Sequence, residues 1–432
     1  MAGVSSGMEV NIGLIGLGTI GSGVVKIIKE NSELIEKRTG IKLRIKKACD
    51  RDAQRVSSLN LSEVEFTTNY DDIINDSSVH VVIELIGGYE PARTVIEKAL
   101  KSGKHVVTAN KAVISKFGKD LFSVCDLNKT NIKFEASVGG CIPIIRTLQQ
   151  SYVSEEFSAI YGIVNGTTNY ILTKMAEGKS YSDALKKAQE NGFAEADPSF
   201  DVEGKDSAQK LTILSMLAFN SNAPEEIYTE GITMITKNDI VYASELGYVI
   251  KLLAIAKRTN NELDLRVHPT MIPVNSELAS VSNEFNGIYL KGKNTSESMF
   301  YGRGAGQLPT ASVVVSDAID LAKKIRNKHY VSPVSFFNNL RQKPIDEIKS
   351  RYYFRFRVLD KPGVIAKIAK ELGDNNISIA GVSQKEENLE TVPLIIITHS
   401  AIEKDVKRAV EAINKLDVVK EKTVVIRIED IS

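Results

Sequence analysis

The chain has 432 residues, enough for two or three domains with substantial cores. Charged residues make up 25% of it and the formal net charge is +1, which argues against a nucleic-acid or polyanion partner. No apolar run approaches the roughly 18 residues that span a bilayer, and the three cysteines are widely spaced without a paired metal motif, so we expect a cytoplasmic protein with reduced thiols.

The first motif joins a buried strand to a helix. Residues 10–15 predict the strand, residues 16–21 read Gly-Leu-Gly-Thr-Ile-Gly, and a helix is expected to begin near Ser22. This is the G-x-G-x-x-G pattern in the strand–turn–helix context of a dinucleotide site, where a pyrophosphate rests on the helix N-terminus. The cofactor residues that we predict here are Gly16, Gly18, Thr19, Ile20 and Gly21.

The second strand bears on the choice of cofactor. Residues 43–49 predict a strand that ends at Asp50 and Arg51. An acidic residue at this place usually binds the ribose hydroxyls of NAD, whereas a neighbouring arginine accommodates the 2′-phosphate of NADP. Both are present, with Arg55 nearby, so the sequence leaves NAD and NADP open.

Two further apolar strands are predicted over residues 79–86 and 105–109. The first opens on Gly87, where the backbone could lie against the cofactor, and the second ends just before Lys111. A lysine at the carboxyl end of a strand in an open α/β sheet faces the ligand crevice. A solvent-facing lysine at the start of a helix fits the same spacing.

Residues 195–210 hold five carboxylates and two lysines. From Lys205 the pattern predicts a helix, on which Asp206 and Lys210 share a face in line with an apolar stripe. A structural ion pair is the common explanation of this spacing. Beside a nicotinamide site, however, a lysine held by a carboxylate can give or take the proton of a carbonyl group.

Further along the chain, residues 159–164 predict a strand, and Asn165-Gly166 turns into a helix with Thr167 or Thr168 as its N-cap. The motif either only starts this helix or also lines the ligand crevice, and the sequence favours neither.

Several long motifs occur in a fixed order: Thr-Ala-Asn-Lys at 108–111, Glu-Ala-Ser-Val-Gly-Gly-Cys-Ile-Pro at 135–143, Asn-Gly-Thr-Thr-Asn-Tyr at 165–170 and Gly-Arg-Gly-Ala-Gly-Gln-Leu-Pro-Thr at 302–310. With the glycine fingerprint and the acidic segment, they make residues 10–335 resemble the homoserine dehydrogenase family. That family interconverts L-aspartate 4-semialdehyde and L-homoserine with NAD(P)H, on the path to threonine and methionine. We assign Gly304 and Gly306 of the last motif to the cofactor.

The resemblance implies a role for each charged residue of the site. Glu195 would bind the substrate α-ammonium, and Asp201 and Asp206 would contact the substrate and the lysine. Lys210 would be the proton donor or acceptor, and Lys111 a second lysine beside the cofactor and the reacting centre.

The same resemblance implies a monovalent cation, Na⁺ or K⁺, in the loop 135–143. Hard oxygen donors suit such an ion, although a plain glycine-containing turn explains the loop equally well. The backbone carbonyls that would bind the cation are those of Glu135, Val138, Gly140 and Ile142.

The domain organisation follows from these assignments. We expect an α/β Rossmann-type dinucleotide-binding domain over 1–143, completed by a returning segment at 306–340. An α+β substrate-binding and dimerisation domain spans 144–305, a polar linker spans 341–351, and a tail domain spans 352–432. A homodimer or homotetramer is expected.

The tail shows a β-α-β-β-α-β order, which is ferredoxin-like. With Asp360-Lys-Pro-Gly363-Val and Asn-Asn-Ile-Ser at 375–378, it resembles an ACT domain, a small amino-acid-sensing module. The resemblance implies an effector near Asp360 and Gly363, with threonine expected; a domain that only holds subunits together is the alternative. Since every proposed catalytic group precedes residue 345, truncation there is expected to keep hydride transfer.

Two other functions are alternatives to this one. A cysteine-dependent semialdehyde dehydrogenase needs a thiolate with a histidine base, but Cys125 and Cys141 have no histidine in their own motifs. A non-catalytic, nucleotide-linked amino-acid sensor would leave the acidic segment without a role. Turnover of homoserine separates the sensor from the enzyme.

Overall fold

The computed structural model describes residues 8–52, 63–384 and 390–431; Arg55 lies outside them. Within these residues the first sheet has six parallel strands in the order β3-β2-β1-β4-β5-β6, the Rossmann order that was expected. Its strands are β1 (Met8–Ile15), β2 (Ile41–Cys49), β3 (Glu65–Thr67), β4 (Val81–Glu84), β5 (His105–Thr108) and β6 (Ile132–Lys133).

Helices connect these strands and cover the sheet. They are α1 (Thr19–Glu30), α2 (Ser32–Thr39), α3 (Asp71–Ile74), α4 (Ala92–Lys101) and α5 (Lys111–Asn128). α1 begins three residues earlier than expected, because Gly18 is its N-cap. The apolar faces of β1, β2 and β4 pack with α1 into one core, since parallel strands are buried on both faces.

Further α-helices lie between residues 144 and 326. They are α6 (Ile144–Arg146), α7 (Gly166–Ala176), α8 (Tyr181–Glu190), α9 (Ser199–Val202), α10 (Lys205–Phe219), α11 (Lys237–Glu245) and α12 (Gln307–Arg326). α12 returns to pack on α1, where a Cβ added at Gly23 would lie 2.9 Å from the Cβ of Ala311. A π-helical turn follows α6 at Thr147–Ser151, and short 3₁₀ turns lie at Glu135–Ser137, Glu277–Ser280 and Ile345–Glu347.

The second sheet is long and mixed. Its main path runs β12-β11-β7-β9-β10-β18-β14-β16-β15. The strands are β7 (Phe157–Ile163), β8 (Tyr228–Thr229), β9 (Tyr248–Thr259), β10 (Glu262–Pro273), β11 (Phe285–Gly292), β12 (Ser296–Arg303), β13 (Arg341–Gln342), β14 (Lys349–Leu359), β15 (Ile379–Gln384), β16 (Thr391–Thr398), β17 (Ala401–Ile402) and β18 (Val424–Ile428).

The tail has the expected ferredoxin-like arrangement. Strands β18-β14-β16-β15 carry α13 (Val364–Asp374) and α14 (Glu403–Ile413), whose apolar faces bury the aromatic side chains of β14. β18 also pairs in parallel with β10, where Thr270 faces Arg427. The tail sheet and the substrate-domain sheet are therefore continuous, which the sequence pattern did not indicate.

Residues 341–351, which we expected to form a linker, lie against this sheet. Arg341 and Gln342 pair with β10, and β14 already begins at Lys349. The Arg341 guanidinium binds both Glu262 and Glu347. The segment is thus held by hydrogen bonds and ion pairs along its length.

The N-termini of two helices, α5 and α7, position polar residues of the site. α5 begins with Lys111 at the carboxyl end of β5, and its N-cap Asn110 accepts a hydrogen bond from the Val113 amide. α7 follows β7, and its N-cap is Asn165, whose side-chain oxygen accepts from the Thr168 amide at 2.8 Å. The expected cap at Thr167 or Thr168 is wrong, because an asparagine one residue before the helix supplies the acceptor.

α10 confirms the helix predicted from Lys205. Leu211, Leu214 and Leu217 are buried and Ala208 is half-buried. Among the helices of the described residues, none is both long enough and apolar enough to cross a membrane.

Candidate active site

The site is centred on the buried carboxylate of Asp206, in the first turn of α10. Its Oδ2 accepts hydrogen bonds from Lys210 Nζ at 2.7 Å and from Asn165 Nδ2 at 2.8 Å. Its Oδ1 lies 3.2 Å from Lys111 Nζ, which comes from the first sheet. One carboxylate therefore holds two ammonium groups from two parts of the chain.

The environment of Asp206 fixes its charge. Burial alone would favour the neutral acid, but the ammonium groups of Lys210 and Lys111 outweigh it and lower the pKa of Asp206 to about 2. Asp206 is therefore an anion at neutral pH.

Lys210 is buried along most of its length, with 12% of its side chain exposed. Besides Asp206, its Nζ donates to the carbonyl oxygen of Val164 at 2.7 Å. These two bonds use two of the three N–H donors of the ammonium. The third can reach a substrate oxygen.

Asp201 lies beside this pair and is linked to it through Asn165, whose Nδ2 donates to Asp201 Oδ1 at 2.7 Å as well as to Asp206. Burial raises the pKa of Asp201, and the nearby charge of Asp206 adds to the increase, while the Asn165 hydrogen bond opposes it. The sequence left open whether the Asn165 motif only starts a helix or also lines the crevice, and it gave Asn165 no specific role. Its position directly after a buried strand was the available signal.

Glu195 lies on the loop between α8 and α9. Its side chain is exposed, and its backbone carbonyl accepts a hydrogen bond from Gln189 Nε2 at 3.1 Å. Among the described contacts, none joins its carboxylate to Asp206 or Lys210. The structure leaves Glu195 free to meet a ligand from the solvent side.

A buried acid supports the loop opposite α10. Glu84, at the end of β4, is fully buried, and its carboxylate accepts from the Ile86 amide at 2.6 Å and the Thr108 hydroxyl at 2.7 Å. Asn110 donates to the Gly88 carbonyl at 2.7 Å. Glu84 thereby holds the glycine loop and the start of α5, with Lys111, in one arrangement. The sequence did not lead us to predict this role of Glu84, although an acidic residue at the end of an otherwise apolar strand could have indicated it.

A cavity of about 640 Å³ opens at the carboxyl edge of the first sheet. Gly16, Gly18, Asp50 and Arg51 line it, together with residues 85–91 in part. Gly87 has a φ of +82°, and a Cβ there would meet nothing within 4 Å, so the loop leaves open space for a ligand.

The glycine fingerprint is required by close packing. Gly16 has a φ of +96°, and an added Cβ would lie 2.7 Å from the Leu85 carbonyl oxygen; at Gly21 it would lie 2.0 Å from the carbonyl oxygen of Gly16. α1 starts at Thr19 and Ile20, so its free amides face this turn. This arrangement fits a dinucleotide pyrophosphate.

Asp50 and Arg51, which we expected to bear on the choice of cofactor, follow β2 and line the cavity. Asp50 Oδ2 accepts from the Leu17 amide at 2.6 Å, and Oδ1 accepts from the Asp52 amide at 2.9 Å. Asp50 therefore holds the glycine turn itself. The Arg51 side chain is exposed at the rim of the cavity.

The loop 135–143 packs against the 302–310 motif. A Cβ added at Gly140 would lie 2.5 Å from the Gly304 carbonyl, and the Cys141 amide donates to the Arg303 carbonyl at 3.2 Å. Gly304 is itself pressed against Asn286, since a Cβ there would lie 2.3 Å from that side chain.

Gly306 is the N-cap of α12, and Gln307 beside it donates to Ser22 Oγ of α1 at 2.9 Å. The turn that contains Gly304 and Gly306 therefore adjoins the first turn of α1, outside the residues that line the cavity.

The carbonyls expected to bind a cation are partly engaged within the chain. The Ile142 carbonyl accepts from the Ile144 amide at 2.8 Å, and the Glu135 carbonyl accepts from the Val138 amide at 3.5 Å. The Glu135 carboxylate is buried and accepts from the amides of Ile145 and Arg146. Burial, with the neighbouring Asp317, raises its pKa to about 7. Across the described residues, no group of three or more His, Cys, Asp or Glu side chains is placed to hold a metal ion.

The cysteines are poorly suited to nucleophilic catalysis. Burial raises the pKa of Cys125 to about 12, and the Cys141 thiol donates to the Arg303 carbonyl at 3.3 Å. A reactive cysteine needs a lowered pKa.

The predicted effector residues lie at the start of α13. Asp360 is exposed and accepts from Gln384 Nε2 at 3.3 Å. Gly363 is the N-cap of α13 with a φ of +86°, and a Cβ there would meet nothing within 4 Å.

Three family models match the chain. They are "Homoserine dehydrogenase, NAD binding domain" over residues 16–135, "Homoserine dehydrogenase" over 143–319 and "ACT domain" over 352–418.

Proteins named homoserine dehydrogenase from Neisseria gonorrhoeae and Bacillus subtilis are each 40% identical to this chain. The first match covers 98% of the chain and 99% of the relative, and the second covers 97% and 98%. Both matches extend through the tail.

Solved structures give the same result. A homoserine dehydrogenase from Thiobacillus denitrificans is 41% identical with a TM-score of 0.93, covering 99% of this chain and all of that one. A hyperthermophilic archaeal homoserine dehydrogenase mutant in complex with NADPH is 27% identical with a TM-score of 0.64, covering 73% of this chain and 98% of that one. The chain belongs to the homoserine dehydrogenase family of NAD(P)-dependent oxidoreductases and carries an ACT domain at its end.

Proposed function

We propose that this enzyme reversibly reduces L-aspartate 4-semialdehyde to L-homoserine with NADPH or NADH, on the route to threonine and methionine. The observation that carries the proposal is the Asp206 carboxylate shared by Lys210 and Lys111. A reduced carbonyl needs a proton on its oxygen, and this cluster supplies a cationic donor beside a dinucleotide cavity.

The bound nicotinamide supplies hydride-transfer chemistry. Lys210 donates its proton to the substrate carbonyl oxygen during reduction and takes it back during oxidation. Asp206 and the Val164 carbonyl hold the Lys210 ammonium in place, so that its remaining N–H points to one position. Lys111 adds a second positive charge, which stabilises the negative charge that develops on the substrate oxygen.

The amino-acid end of the substrate needs an anionic partner for its α-ammonium. Glu195 on the exposed loop and Asp201 on the buried side supply two carboxylates. Because burial and Asp206 raise the pKa of Asp201, a bound ammonium would compensate its charge. The two acids would thus select a substrate with a free amino group.

The decisive experiment is a turnover assay with the full chain. Homoserine is supplied with NADP⁺ or NAD⁺, and aspartate semialdehyde with the reduced cofactors, while formation or loss of reduced nicotinamide is followed by absorbance. Turnover is expected in both directions. A variant with Cys125 and Cys141 both changed to serine should retain it, whereas loss of turnover in that variant would favour a cysteine-dependent reaction.

We also propose that threonine regulates the enzyme through the tail, near Asp360 and Gly363, and that the chain acts as a homodimer or homotetramer. An ACT domain in a biosynthetic enzyme favours an amino-acid effector. Light scattering of the full chain, with and without threonine, tests the assembly and its dependence on the effector.

A monovalent cation in the loop 135–143 is a further part of the proposal, with the carbonyls of Val138 and Gly140 as its main ligands. Each carbonyl has two lone pairs, so the internal bonds at Glu135 and Ile142 still leave an acceptor site on each. Exchanging Na⁺ or K⁺ for tetramethylammonium at constant ionic strength should lower activity or thermal stability. Unchanged values of both would refute the site.

A further inference from the structure

One of the buried groups that join the tail to the preceding part of the chain is an arginine. Arg427, on β18, is 3% exposed. Its guanidinium binds Glu403 of the tail through Nε at 2.8 Å. On its other side it binds Glu230, through Nη1 at 3.0 Å and Nη2 at 3.1 Å, and donates to the Tyr228 hydroxyl at 3.2 Å. A bidentate pair of this kind fixes both position and orientation.

Glu230 lies in a short segment, residues 229–232, that packs against the turn at residues 202–204. The Ile232 amide donates to the Val202 carbonyl at 2.8 Å. Gly231 has no room for a side chain, since a Cβ would lie 2.2 Å from the Val202 carbonyl oxygen and 2.6 Å from Glu203 Cα. Backbone is therefore packed directly on backbone, where displacements are transmitted with little loss.

The supported turn, residues 202–204, joins the two acids of the site. Asp201 precedes it and Asp206 follows it, and Gly204 adopts a φ of +84° between α9 and α10. A Cβ at Gly204 would lie 2.9 Å from Thr229 Cγ2. Movement of residues 229–232 therefore shifts the turn, and with it the spacing of the two carboxylates.

We infer that Arg427 is a positioning residue for the reaction: through Glu230 it holds the segment 229–232, on which the turn between Asp201 and Asp206 rests. The inference rests on the proposed roles of those two acids. Burial works against the charges, but Arg427 lowers the pKa of Glu230, so the pair is ionised at neutral pH. The tail thus contributes a group to the geometry of the active site without touching it.

The chain offers a matched control. Glu429, also from the tail, is shared by Lys257 of β9 and Arg266 of β10, just as Arg427 is shared by Glu230 and Glu403. Lys257→Gln and Glu230→Gln each remove one of two partners of a buried tail ion. Of these two residues, Glu230 lies in the segment 229–232, whereas Lys257 lies on β9.

The test uses three variants of the full chain: Glu230→Gln, Lys257→Gln and Tyr228→Phe. Tyr228→Phe is the mildest change, because it removes one hydroxyl. It provides the test if Glu230→Gln does not fold. Glu230→Gln should raise the KM for homoserine about fivefold or more, and Tyr228→Phe about twofold, with the cofactor KM unchanged. Lys257→Gln should lower thermal stability without changing the homoserine KM.

Hydrogen–deuterium exchange tests this inference independently of the proposed reaction. Glu230→Gln should speed exchange of the amides in residues 199–206, and Lys257→Gln should not. Faster exchange without any homoserine turnover in the parent chain would refute the proposed function and leave the coupling standing. Unchanged exchange with an unchanged homoserine KM, or equal effects in both variants, would overturn the inference.

Discussion

Lys111 Nζ lies 3.2 Å from Asp206 Oδ1, although Lys111 starts α5 beside the first sheet and Asp206 lies in the first turn of α10. The contact joins α5 to the acidic segment 195–210. With Lys210 on the other oxygen, the cluster carries two ammonium groups on one buried anion. The surplus positive charge suits a site where negative charge develops on a carbonyl oxygen.

Removing the proposed proton donor should stop the chemistry and spare cofactor binding. Lys210→Ala is expected to cut turnover about 10²-fold or more, the usual scale for a general acid–base group. Lys205→Ala is the control, because Lys205 lies on the same helix but is exposed and pairs with Glu203. Steady-state kinetics and cofactor titration measure both effects; a folded Lys210→Ala variant slowed only a few fold would rule out this role.

Asp206 should link stability to acid pH. Its pKa in the folded state is about 2, below the value of about 3.9 for an unfolded aspartate, so the unfolded state binds more protons between these values. The stabilisation is complete above about pH 4 and is lost as the pH falls toward 2. The difference in free energy of unfolding between the parent chain and Asp206→Asn should narrow between about pH 6 and pH 3 in urea titrations; a constant difference would contradict the assignment.

Much of the site could be predicted because its signals are local. The Gly16 turn and the Asp206–Lys210 spacing depend on a few consecutive residues, and α10 follows from its apolar period. The contact of Asn165 with Asp206 and the role of Glu84 were not predicted, because each depends on a partner far away in the sequence, 41 and 24 positions respectively. The pairing of residues 341–342 with β10 was not predicted for the same reason, because it involves a distant strand and leaves no local sequence pattern.

The sequence predicted that the tail could be removed without loss of hydride transfer, and the structure argues against this prediction. Truncation after residue 345 would remove β18 from the edge of β10 and leave Glu230 without Arg427. An exposed strand edge and an unpaired partly buried acid both destabilise a fold. We therefore expect the truncated chain to lose thermal stability and activity together, as measured by a melting curve and a turnover assay. Point variants in the tail are the better test of regulation.

Cofactor choice should depend on Arg51 at the rim of the cavity. Arg51→Ala is expected to weaken NADPH about tenfold and NADH much less, because only NADPH carries the 2′-phosphate that a guanidinium can bind. Arg44→Ala is the control, since Arg44 lies on β2, the strand that Arg51 follows, and pairs with Glu9. Fluorescence titration with both cofactors measures the dissociation constants. Equal losses for the two cofactors would mean that Arg51 points away from the ribose.

Regulation by threonine should depend on Asp360 at the first turn of the tail. Asp360→Ala is expected to raise the threonine concentration for half-inhibition about tenfold while leaving kcat and the homoserine KM unchanged without threonine. An effector bound at the tail can act only by favouring one arrangement of the catalytic domains, so its loss spares the uninhibited enzyme. Asp374→Ala is the control, because Asp374 is a carboxylate at the C-terminal end of α13, the helix that follows Asp360, and pairs with Lys370. Homoserine and threonine are close in shape, so inhibition could instead arise by competition at Glu195. Inhibition that is competitive with homoserine and unaffected by Asp360→Ala would show that the tail is not the sensor.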